Sequence, residues 1–212
     1  MGRIVLFVLV SLIGGCATEQ PFPQFQGNVE AKSQHVAGVT LVHGVMLVKR
    51  EGPTFAVGGA FVTVPGGWNA NDQQYIAYYR KKHHDFVAAF CVELERLGMF
   101  KKAEIVAELP AMPTSVDSAT ASIKTSDTPI TIQYVTSSFN NAGMNYTLDV
   151  VLTIGSERPF VRKYHIESNN GESFWMKMNN SGPQARHSAD TQLVDVLIND
   201  IQVWLKADTT GG

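Results

Sequence analysis

The sequence predicts an α+β fold: a mostly antiparallel sheet covered by two amphipathic helices, at about 72–97 and 190–206. Three observations point to it. Phe86, Phe90, Leu94 and Leu97 recur at three- and four-residue intervals, with Val87 and Cys91 beside them, which is the stripe of a helix buried on one face. Ile130, Ile132 and Tyr134 alternate with polar residues, as do Tyr146, Leu148, Val150, Leu152 and Ile154, and period two turns each set toward one face of a sheet. Leu193, Leu197, Ile201 and Trp204 form a second helical stripe opposite Asp195, Asn199 and Gln202. Helices with a single apolar stripe need a sheet face to cover.

The elements follow in order. Val39 to Val48 and Phe55 to Val64 read as two strands joined by a turn at Glu51-Gly52-Pro53, and Pro65-Gly66-Gly67 ends the second. Asn71 with Gln74 has the spacing of a capping box at the start of the first helix, and Gly98 suits the position just past its end. Ala103 to Leu109 reads as a strand. Pro110 to Pro129, rich in Ser, Thr, Ala and Asp, reads as an edge strand or a loop. The alternating strands come next, then Phe160 to Glu167 and Phe174 to Met178, with Asn169-Asn170-Gly171 as a hairpin turn between them.

The N-terminus has a different character. One charge, Arg3, precedes the apolar run Ile4 to Val10, which is too short to span a bilayer but fits the core of a cleaved export signal. Leu12-Ile13-Gly14-Gly15-Cys16 then resembles the lipobox of bacterial lipoproteins, with Ile13 standing where that family usually has Leu. The resemblance implies cleavage before Cys16 and lipid on its sulfur and new amine. Two or more chains anchor a protein stably where one does so only marginally. Ala17 in place of Asp implies, by the enteric sorting rule, transport to the outer membrane, with the protein facing the periplasm. The expected organisation is a signal peptide at 1–15, a lipidated cysteine and flexible tether at 16–35, and a single domain at 36–212. Phe22 and Phe25 are the two tether residues suited to dock on that domain.

Composition narrows the function. The chain carries 17 basic and 19 acidic side chains, a formal charge of −2, and losing Arg3 makes it more negative, so no basic excess favours nucleic acid. Cys91 is the one thiol left after Cys16, so no internal disulfide is available, and its Phe90-Cys91-Val92 setting reads as a small buried hydrophobe. His83 and His84 are adjacent, and neighbours do not share a helix face. They read as a solvated flank continuing Arg80-Lys81-Lys82, not as metal ligands. His165 and His187 could meet only through the fold. No Gly-x-Ser-x-Gly, Ser-x-x-Lys or His-Glu-x-x-His motif is present, and Gly58-Gly59 and Gly66-Gly67 lack the Lys and Ser/Thr of a phosphate loop. No cofactor or metal is expected. A hydrolase with a site dispersed through the fold remains the alternative.

Tyr75, Tyr78 and Tyr79 beside Arg80, Lys81 and Lys82 make the one surface suited to a partner protein or to anionic lipid. From Phe86 to Leu109, the helix ending Leu94-Glu95-Arg96-Leu97-Gly98-Met99-Phe100 with a strand after it resembles ABC-type transport auxiliary lipoproteins and the lipopolysaccharide-assembly lipoprotein. That resemblance implies a non-catalytic binding or assembly subunit of an envelope system, with an envelope protein as partner.

Overall fold

The computed structural model describes residues 20–49, 54–57, 60–63, 73–110, 127–140, 145–169 and 181–210. The signal peptide, Cys16, Gly58-Gly59, the Pro65-Gly66-Gly67 stop, the Asn71 cap, most of 110–129, the Asn170-Gly171 turn and the Phe174–Met178 strand lie outside them.

The chain forms β1 (Val36–Val42), β2 (Val45–Lys49), β3 (Thr54–Val57), β4 (Ala60–Thr63), α1 (Gln73–Arg96), β5 (Lys102–Leu109), β6 (Thr128–Asn140), β7 (Asn145–Ile154), β8 (Phe160–Asn169) and α2 (Ser181–Thr210). It is an α+β fold, but the sheet is mixed and not mostly antiparallel. Strand order is β5-β1-β6-β7-β8, with β2 also on β6. β6, β7 and β8 are antiparallel, whereas β1 runs parallel to both β5 and β6, and β2 runs parallel to β6. Val39–Val48 and Phe55–Val64, read as two strands joined by a turn, are each divided in two, and the Glu51-Gly52-Pro53 turn lies outside the described residues. The first run joins β6 through β1 and β2, and the second folds back on itself as the β3–β4 hairpin. Both faces of β1 are buried, as a parallel strand inside a sheet requires.

β1 and β2 occupy successive stretches of one edge of β6, interrupted at His43-Gly44. A Cβ on Gly44 would lie 1.8 Å from the Tyr134 carbonyl oxygen, so only glycine allows the chain so close to β6. Opposite this break β6 carries a bulge at Val135. A second bulge, at Val106, lies in β5.

α1 packs on β5 and β1, and α2 packs on β7 and β8, so both helices cover the same face of the sheet. Phe86, Phe90 and Leu94 are buried and Leu97 is partly so, joined by Leu41, Ile130, Ile132, Leu148, Leu152, Leu193, Leu197 and Ile201 in one core. α1 ends in a Schellman motif. Gly98 has φ 69°, Met99 N–H donates to the Leu94 carbonyl, and Gly98 N–H donates to Glu95, which caps the carbonyls the helix leaves free. The other face of β7 and β8 is solvated. There His165 donates to Asp149 at 2.7 Å and to Glu167 at 3.0 Å, and Thr136 bonds Asp149.

Residues 20–35, expected as part of a flexible tether, form a strap fastened to both helices. Phe22 packs against Phe86 at 5.5 Å between rings, and Phe25 is buried. The Phe25 N–H donates to the buried Glu93 carboxylate at 2.8 Å, and Arg96 donates to both oxygens of that carboxylate at 2.6 Å. The Glu30 N–H reaches Gln202 Oε1, and the Glu30 carboxylate pairs with Lys206 at 2.6 Å. Lys101 N–H donates to the His35 carbonyl just before β1 begins.

Candidate functional site

The core stripe of α1 runs Tyr79, His83, Phe86, Phe90, Leu94, at intervals of three and four. His83 therefore points inward, 1% exposed, and is not part of the solvated flank expected of it. Its ring stacks on Tyr134 at 3.7 Å, with 6° between planes. The Val135 bulge adds one residue to β6 and so returns Ser137 to the helix-covered face, where Ser137 Oγ lies 3.2 Å from His83 Nε2. Burial holds the His83 imidazole well below its ordinary 6.5, helped by the Arg186 and His43 charges, so the ring is neutral. His84, one residue on, is exposed and agrees with the sequence reading.

The β5 bulge does the same for Glu108. Past Val106 the register turns Glu108 toward α1, where one carboxylate oxygen lies 2.6 Å from His43 Nε2 and the other 3.0 Å from His84 Nδ1. The hydrogen bond from His43 holds the Glu108 carboxyl below its usual range against the pull of desolvation, and His84 adds to the effect. The His43 and His83 rings are 6.0 Å apart.

On the other side of Ser137 stands Tyr146, wholly buried, its phenol pushed upward by desolvation. The Arg186 guanidinium lies 5.9 Å above the Tyr146 ring and pairs with Asp190 at 3.3 Å. Burial raises the Asp190 carboxyl despite that partner. The result is a polar file, Arg186, Tyr146, Ser137, His83, His43, Glu108, that crosses from α2 to β5 beneath α1. Among the described residues, the buried side-chain atoms with no hydrogen-bond partner are His43 Nδ1, His83 Nδ1, Tyr146 Oη and Arg186 Nη1, all in this file.

Ser137 and His83 are placed as a nucleophile and base would be. However, the far nitrogen of His83 has no carboxylate to orient it, and both residues are 1% exposed. No group of three or more His, Cys, Asp or Glu among the described residues is arranged to hold a metal ion. Cys91 is buried and its thiol is pushed up to about 12, which leaves it unreactive.

The expected contact surface divides. Tyr79 is a core residue, 8% exposed, and meets Tyr78 edge-on at 5.3 Å. Tyr78 is 53% exposed, with Lys82 Nζ 5.5 Å from its ring. Arg80 is exposed, and the exposed Lys81 pairs with Asp85 at 2.7 Å. The Tyr75 side chain lies outside the described residues.

Sequence reasoning missed the polar file, although part of its signal was present. His83 stands four residues after Tyr79 and three before Phe86, on the apolar stripe itself. The two bulges that turn Ser137 and Glu108 inward leave no mark in local sequence.

No family model matches the chain, and no curated protein matches it. Among solved structures it is similar to protein XCC0632 from Xanthomonas campestris, described as a DUF330 protein. That match has 14% identity over 89% of this chain and 97% of that one, with a TM-score of 0.45. It is also similar to a structure described as an uncharacterized protein, with 10% identity over 76% of this chain and 97% of that one, and a TM-score of 0.30.

Proposed function

We propose that this chain is a lipid-anchored envelope protein that serves as a non-catalytic binding or assembly subunit of an envelope transport system, held on the outer membrane by lipid on Cys16 and facing the periplasm. The observation that carries the reading is the strap. Gln20 is four residues past Cys16, a reach of at most about 14 Å, and two residues further on Phe22 is already docked on α1. A lipid on Cys16 would thus hold the body close to the bilayer and in one orientation, which suits assembly with a membrane-embedded partner.

The hydrolase alternative is favoured by one contact, Ser137 to His83 at 3.2 Å. Its weakness is the buried pair without an orienting acid.

Full-length protein expressed in a bacterium fed radioactive palmitate, then cross-linked in its membrane, tests the proposal. Wild type should take up label and cross-link to a discrete envelope protein, and Cys16→Ser should do neither. Label retained by Cys16→Ser would overturn the anchor. Ester hydrolysis by the purified protein, abolished in both Ser137→Ala and His83→Gln, would establish the alternative.

A further inference from the structure

We propose that the face of α1 formed by Tyr78, Lys81 and Lys82 docks on the anionic phospholipid headgroups of the membrane that holds the anchor. This rests on the lipid-anchor reading of Cys16 and adds to it an orientation and a lipid chemistry.

Phe22 lies against Phe86, Phe25 against Glu93 and Arg96, and His35 bonds Lys101 beyond the helix end. The strap therefore runs alongside α1 in the same direction as the helix. An extended residue advances about 3.3 Å and a helical one about 1.5 Å, so each strap residue passes about two helix residues. The six residues from Phe22 back to Cys16 span up to about 20 Å, and the eight from Phe86 back to Tyr78 span about 12 Å, so the lipidated residue has the reach to arrive beside Tyr78.

At about 100° per residue, Tyr78, Lys82, Phe86 and Glu93 fall within about 80° of one another around the helix, so the face that receives the strap is the face that carries Tyr78 and Lys82. Lys81 flanks this stripe. Arg80 lies about 200° round from Tyr78 and takes no part.

Tyr78 is 53% exposed, an amphipathic ring of the kind that settles at a membrane interface. The Lys81 side chain is 71% exposed, and its nearest counter-charge is Asp85, 44% exposed, whose ion pair with Lys81 is open to exchange for a headgroup phosphate. The Lys82 ammonium sits over the Tyr78 ring, which keeps the cation and the aromatic on one side.

Lysine acetylation footprinting of the full lipidated protein tests this, in phosphatidylcholine vesicles with and without phosphatidylglycerol, and in native membrane vesicles. Lys81 should be modified about fivefold more slowly when phosphatidylglycerol is present, while Lys163, exposed on the far face of the sheet, reacts at one rate throughout. Tyr78→Ala/Lys81→Glu, with an unchanged melting temperature, should abolish the corresponding protection of Lys82. A lipidated protein whose Lys81 reacts alike in all vesicles overturns the proposal and leaves the anchor standing. Equal protection with and without phosphatidylglycerol overturns the recognition of anionic headgroups. Protection confined to native membranes assigns the face to a protein and overturns it too. A mature protein with no acyl mass on Cys16 removes both the anchor and this inference.

Discussion

The two ends of α1 treat buried polarity differently. At the C-terminal end, Glu93 is 3% exposed, and its oxygens take the Phe25 N–H and two Arg96 donors, so a buried charge is fully engaged and the strap is fastened by it. Seven to fourteen residues earlier the same helix covers the polar file, where four buried nitrogen and oxygen atoms have no partner. A satisfied buried network rigidifies what it joins, and a partly satisfied one costs stability at each orphan. The clamp therefore reads as structural. The file is the part of the core that packing alone does not account for.

The largest loss belongs to neither region: Phe90, 0% exposed between them, should cost about 3–5 kcal/mol when cut to Ala, measured by urea denaturation of protein lacking residues 1–16. Glu93→Ala should cost about 3 kcal/mol, because it leaves the Phe25 N–H and the Arg96 charge without their acceptor. Hydrogen bonds from Arg96 hold the Glu93 carboxyl below its ordinary 4.5. Its contribution is therefore complete above that value and disappears as pH falls through the lower, folded-state one. Glu93→Gln should flatten the acid limb of the melting profile, and an unchanged limb would mean the clamp is not charged.

In the polar file the expectation reverses. His83→Phe/Ser137→Ala keeps the stack on Tyr134 and removes both polar partners together, so its stability should stay within about 1 kcal/mol of wild type or exceed it. A loss as large as that of Glu93→Ala would show that the file is a stabilising network after all. The smallest effect is expected on the solvated face, where Asp149 and then Glu167 raise the His165 imidazole above 6.5. Its small contribution is fully present below 6.5 and fades as pH rises through the raised value, so His165→Asn should be felt only on the acid side.

Much of the fold was legible because its signals are local. The stripe of α1, the glycine at its end and the alternation in β6 and β7 all come from neighbours in sequence. The parallel half was not, because the partner of β1 on β6 lies some ninety residues away. Even so, Val39–Val48 does not alternate, since Leu41-Val42 and Val45 to Val48 set apolar residues side by side, the mark of a strand buried on both faces. The strap was half legible: Phe22 and Phe25 stood out as apolar in a polar segment, but the Glu93 carboxylate that holds Phe25 is 68 residues distant.

The anchor proposed at Cys16 would act on the body through that strap, and the exchange rate of the Phe25 amide proton tests the strap most directly. Phe25 should exchange slowly, with protection approaching that of the buried β1 amides, and should lose that protection in Glu93→Ala. Exchange at the rate of an unstructured peptide in the wild-type protein would return residues 20–35 to a free tether and contradict the fastened body.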